Sequence, residues 1–144
     1  MLSRSASNGA GCKKETILIQ SSMSTWREKA IEILPGLKKE FNRKDLSIYD
    51  VFIELLPATV DAHKQKNKDL LKKYYGYAKW CLQQKEKQLW NAAGVAFYEE
   101  LGDYAEIFSE LHLWIDREVY SQIKELLQSR LSAEKFPALD KHFR

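Results

Sequence analysis

Residues 74–101, YYGYAKWCLQQKEKQLWNAAGVAFYEEL, decide how the chain folds. Leu89, Ala92, Ala93, Ala96, Phe97 and Leu101 recur at the spacing of one helix face. Ala92, Ala93, Gly94 and Ala96 are all very small. A glycine inside a helix costs about 1 kcal/mol relative to alanine, and close approach of a second helix offsets that cost. Upstream, Tyr74, Ala78, Cys81 and Leu82 make another stripe, flanked by Tyr77 and Trp80. Bulky residues in the first half complement small ones in the second. The spacing therefore predicts a helical hairpin in which large side chains fill the hollow left by the alanines. Its turn is Gln83 to Lys87, polar throughout.

Working outward, 144 residues suit one domain, and 44% hydrophobic content supplies a sizeable core. Three prolines and six glycines are few breakers for a chain with long periodic runs. No sustained alternation of polar and apolar residues competes, and Asn8-Gly9 lacks flanking strands. The expected fold is all-α: an irregular helical bundle or a short solenoid-like array of helix hairpins, with about six to seven helices. Residues 1–23, rich in serine and glycine, are expected to be a flexible leader, and 24–144 a single helical domain. The leader lacks the apolar core of a secretory signal, and a mitochondrial presequence fits it less well. Without a long apolar run no membrane span is expected. Cys12 and Cys81 form neither a disulfide framework nor a metal spacing, so a reducing cytoplasm is expected.

Within the domain, Ser24 and Thr25 offer a cap for a helix carrying Trp26, Ala30, Ile31 and Leu34, and Pro35 is expected to kink it or open a short new one. Ser47 with Asp50 makes a capping box for the next helix, which buries Ile48, Val51, Phe52, Leu55, Leu56 and Val60. Pro57 is expected to interrupt that helix with a bend near Ile53 to Leu56. Gly102 and Asp103 mark a helix end and a new cap, followed by the face Tyr104, Ile107, Phe108, Leu111, Trp114 and Ile115. A last helix runs from about Asp116 to Leu131, and Phe136, Leu139 and Phe143 are candidates to dock back on the body.

Charge is distributed unevenly. Residues 64–87 hold eight lysines against Asp69 and Glu86, whereas residues 88–120 hold seven acids against Arg117. Neighbouring helices can pair these charges internally; alternatively the two patches face different partners. A net charge of +3 is too mild to imply nucleic acid. Tyr74, Tyr75, Tyr77 and Trp80 are interleaved with lysines, as in strand-tracking grooves. The dominance of lysine over arginine disfavours that reading.

Catalytic chemistry finds little support. His63, His112 and His142 are scattered, and no metal-binding or nucleophile motif occurs. No metal or other cofactor is expected. His63 lies near the apolar face of its helix and is expected to be a structural polar residue, since no second ligand sits at i+3 or i+4. Cys81, on its stripe, reads as an inert core thiol. Glu99, Asp103, Glu106 and Glu110 would share one side of an unbroken helix. They form either a solvated acidic face or, in an enzyme reading that adds His112 to Glu99 and Asp103, the site of a small metal-dependent hydrolase.

The segment WNAAGVAFYEELGD, with YYGYAKWCLQQKEKQL before it, resembles a family of small uncharacterised bacterial proteins. Their shared core has an aromatic-rich helix followed by Asn-Ala-x-x-Val-x-Phe-x-Glu-x-Leu. The matching residues here are Asn91, Ala92, Val95, Phe97, Glu99 and Leu101. The resemblance extends over Trp26 to about Leu131 and implies a helical fold with no established reaction. Some relatives look like immunity or partner proteins of toxin systems. Beside the resemblance, Asn91 is expected to hold free backbone groups in place.

The favoured expectation is a non-catalytic protein-binding module, of immunity or adaptor type, with a charged helical face formed by Glu99, Asp103, Glu106, Glu110, Lys72 and Lys73. Its partner is then another protein, of basic character for the acidic stretch. The rival readings are the small enzyme and a weak nucleic-acid binder working through the lysine-rich arm.

Overall fold

A computed structural model describes residues 20–37 and 46–144. Residues 1–19 of the expected leader and the connector at 42–44 lie outside the described residues. The chain divides between Lys44 and Asp45. On the N-terminal side, α1 (Gln20–Ile33) starts ahead of Ser24, so that serine lies inside the helix rather than capping it. Pro35 opens a 3-10 turn, Pro35–Leu37, as its fixed φ and missing N–H favour at a first helical position.

Beyond Asp45 the elements are α2 (Ile48–Gln65), α3 (Lys68–Leu82), α4 (Lys87–Ala93), a π turn (Gly94–Tyr98), α5 (Glu99–Leu101), α6 (Ala105–Phe108), α7 (Leu111–Trp114), α8 (Arg117–Arg130), α9 (Lys135–Asp140) and a closing 3-10 turn (Lys141–Phe143). The fold is all-α, with no strand among the described residues.

A full capping box starts α2: the Ser47 amide donates to Asp50 Oδ2 at 2.8 Å, and the Asp50 amide to Ser47 Oγ at 3.4 Å. Contrary to expectation, α2 runs through Pro57 without interruption. Pro57 is exposed, as is Ile53, whose carbonyl loses its helical partner. Water can serve that carbonyl, so the helix survives. Lys66 then turns the chain in a left-handed conformation (φ 55°), and the Asn67 side chain caps α3 by accepting from the Leu70 amide.

The hairpin of α3 with α4 and α5 forms as the spacing predicts, with its polar turn at 83–86. Phe97 is its centre and is fully buried. Its ring lies 5.8 Å from Phe52, 5.8 Å from Tyr75 and 5.3 Å from Tyr98, in tilted or edge-on geometries that suit aromatic quadrupoles. Ala92 and Ala93 are also fully buried. Gly94 admits α8, because a Cβ there would stand 3.0 Å from Leu126 Cδ1.

One expectation fails in phase. Ala96 is only half-buried, and Tyr98 enters the core instead. The π turn accounts for this, since its wider winding shifts the inward face relative to an unbroken α-helix.

The run from Tyr104 to Ile115 divides into α6 and α7 around Ser109 and Glu110. Asp103 is not a cap: Tyr104 precedes α6 without a side-chain bond, and the Asp103 carboxylate is used elsewhere. Asp116 caps α8, accepting from the Val119 amide at 2.8 Å. The tail docks as anticipated. Leu139 is buried, Phe143 stacks on Tyr120 at 4.1 Å, and the Tyr120 hydroxyl donates to Asp140.

Replacing Phe97 with alanine removes the ring shared by α2, α3 and the π turn. We expect Phe97→Ala to destabilise the fold by about 3–5 kcal/mol in urea titration. A loss under about 1 kcal/mol would mean that the core is centred elsewhere.

Candidate functional site

The most constrained polar group is at the C-terminal end of α2. His63 sits on the inward side of that helix, and its side chain is fully buried. Its Nδ1 lies 2.8 Å from Glu110 Oε1, and its Nε2 lies 2.8 Å from the Tyr75 hydroxyl. The His63 hydrogen bond, helped by Lys66, holds the Glu110 carboxyl below its usual range. An ionised carboxylate only accepts, so the fitting tautomer carries its proton on Nδ1 and donates it to Glu110. Nε2 then accepts from the Tyr75 hydroxyl. Burial pushes the Tyr75 phenol well above its ordinary value, so it stays protonated and donates.

Aromatic packing fixes the rings. Tyr75 stacks on Trp114 at 5.7 Å and 13°, and His63 stands edge-on to both. The connectivity is carboxylate, imidazole, hydroxyl, the order found in hydrolytic triads. Here the terminal hydroxyl is a buried phenol. Every polar atom of the imidazole is satisfied, which removes the penalty of burying it. The network ties α2, α3 and the start of α7 together.

The four acids expected to share one face separate. Arg130, in the last turn of α8, reaches Glu99 at 3.4 Å, Glu100 at 3.1 Å and Asp103 at 2.5 Å. Glu106 lies 3.9 Å from Lys64. Glu110 takes His63 and, at 3.3 Å, Lys66. Of the predicted lysines, Lys72 and Lys73 are both exposed. Asn91 donates to the Tyr49 hydroxyl of α2 at 2.8 Å, so its partner is a side chain rather than backbone. His112 stacks face to face on His142 at 3.8 Å and is not gathered with Glu99 and Asp103, which meet at Arg130. No group of His, Cys, Asp and Glu able to hold a metal occurs among the described residues.

Residues 27–132 match the profile of a family described as a domain of unknown function, DUF7674. The chain belongs to the DUF7674 family. No curated protein and no solved structure matches it. The matched span of the DUF7674 domain contains the whole His63 network and Arg130 with its three carboxylates.

Sequence reasoning gave Tyr75 no polar role and missed Arg130. A signal for Tyr75 existed: Leu71, Tyr75, Ala78 and Leu82 share helical spacing and are all buried in this DUF7674 chain. Arg130 had none, because nothing local marks the last turn of α8 as facing the end of α5.

Tyr75→Phe leaves a fully buried imidazole nitrogen without its partner. The expected destabilisation is about 1–3 kcal/mol, read from urea unfolding, and an unchanged midpoint would show that the bond contributes nothing.

Acid acts on the same network. Folding lowers Glu110 from an ordinary 4.5 and His142 from 6.5, the latter through desolvation and the neighbouring His112 and Lys141. In each case the unfolded chain binds the proton more readily, so stability falls with falling pH. The loss starts near pH 6.5 for His142 and near 4.5 for Glu110 and continues down to each folded-state pKa. Urea midpoints measured from pH 8 to pH 3 (roughly the span of these ordinary values) should decline in two stages. His142→Asn is expected to flatten the upper stage and Glu110→Gln to shrink the lower, to which Asp116 and Asp140, also lowered by folding, contribute as well; identical profiles for all three proteins would contradict the assignment.

Proposed function

We propose that this protein is a non-catalytic protein-binding module, an adaptor or immunity-type protein of the bacterial cytoplasm. It engages another protein through charged and apolar side chains that α5, α6 and α7 leave in solvent between Glu99 and Leu113. The observation that carries this reading is Leu113, 69% exposed on α7 in the turn that follows Glu110. A large apolar side chain left in solvent has the character of an interface anchor.

The Arg130 cluster supports the same reading. One guanidinium holds three carboxylates whose side chains remain 25–41% exposed. Lys135 adds a second cation by donating to the Gly102 carbonyl at 3.1 Å. Three acids against two cations leave a mild negative excess with fixed carboxylate positions. Such a surface favours a basic partner through orientation more than through raw charge.

The test is a pull-down from native lysate with the wild type and with a Leu113→Glu, Glu106→Lys double variant whose circular dichroism and urea midpoint match the wild type. At least one protein recovered by the wild type should be lost with the variant, and its recovery should fall as salt is raised. Equal recovery of every protein by both chains, at low and high salt alike, would remove the proposal.

A further inference from the structure

Tyr98 closes the π turn and is 1% exposed. Its hydroxyl has no hydrogen-bond partner among the described residues. Buried phenol hydroxyls are nearly always bonded, so an orphan of this kind calls for an explanation. Tyr98 lines a hollow of about 200 Å³ between α3 and the start of α8, beside Tyr75 and Asp116. Asp116 lines the same hollow; burial pushes the Tyr98 phenol up, and the charge of Asp116 adds to that.

The other oxygens lining the hollow take part in bonds of their own and none accepts from that hydroxyl, although each keeps lone pairs to spare. The Tyr75 hydroxyl serves His63. Asp116 accepts from the Val119 amide through Oδ1 and from Lys79 Nζ, 2.6 Å away, through Oδ2. The hollow therefore offers a buried donor with no acceptor. Lys72 stands on its rim, exposed and without an ion pair among the described residues. Gly76 opens the α3 side, since no atom stands within 4 Å of where a Cβ would project. Trp114 and Val119 line the hollow as well.

We propose that this hollow binds a small monocarboxylate. Its carboxylate accepts from the Tyr98 hydroxyl and pairs with Lys72, and its apolar body lies against Trp114 and Val119. Donor and cation together select an anionic acceptor. A hollow of about 200 Å³ has room for a small organic acid. The carboxylate of Asp116 on the same wall disfavours a doubly charged phosphate. The site shares no residue with the Glu99–Leu113 segment assigned to the protein partner, and neither reading requires the other.

The experiment titrates the full chain with benzoate, benzamide and inorganic phosphate, following indole and backbone amide resonances. Benzoate should give saturable shifts at the Trp114 indole and around Gly76, whereas benzamide and phosphate bind at least about tenfold more weakly. Tyr98→Phe and Lys72→Gln should each weaken benzoate about tenfold, as expected for losing one charge-assisted contact. Without benzoate, Tyr98→Phe should be at least as resistant to urea as the wild type, because it deletes a buried hydroxyl with nothing to bond. The proposal is overturned if benzoate gives no saturable shift, if benzamide binds as well, or if either variant binds benzoate like the wild type. A less stable Tyr98→Phe overturns it too, since the hydroxyl would then have a partner within the folded chain.

Discussion

An imidazole withdrawn from water has two nitrogens to satisfy, and the arrangement of α2, α3 and α7 follows from how His63 satisfies both. Glu110 meets one nitrogen and Tyr75 the other. Neither contact forms unless three segments distant in sequence arrive in register. The stacked Tyr75 and Trp114 rings hold that register from the side. The network is thus a specificity device as much as a stabilising one: a slipped helix would bury an unpaired polar group at several times the cost of a lost apolar contact.

The uneven charge along the chain is partly paired in the same region. Cations from the C-terminal end of α2 and from α3 meet acids of α6 and of the starts of α7 and α8 through Lys64–Glu106, Lys66–Glu110 and Lys79–Asp116. Each exposed pair is worth little alone. Lys68, Lys72, Lys73, Lys85 and Lys87 have no ion pair among the described residues, so much of the basic block stays on the surface.

Much of this was legible from residue spacing. The hairpin, the Ser47 capping box, the buried Cys81 and the docked tail all follow from local rules of period and capping. What stayed hidden depends on contacts between distant segments. Glu99 to Glu110 would form one row only on an unbroken helix; the break at Gly102 is visible in the sequence and the one around Ser109 is not, and together they send the acids to different partners. Pro57 was overweighted because its cost depends on whether the bereaved carbonyl faces water, which periodicity does not report. Tyr75 shows the same limit: helical spacing marks its ring as core, but the bond of its hydroxyl to His63 depends on a second helix.

The π turn at Gly94–Tyr98 has a consequence for how the domain tolerates change in length. It holds the surplus winding that separates α4 from α5. Deleting one residue there would restore a plain α-helix and leave everything downstream in nearly the phase it has now, whereas the same deletion in α4 would rotate it by about 100°. In that second case Leu101 would swing out of the interior, and the carboxylates would leave Arg130. The two ends of this rod are therefore phased by a single loose coil, the place along it where loss of one residue is most readily absorbed.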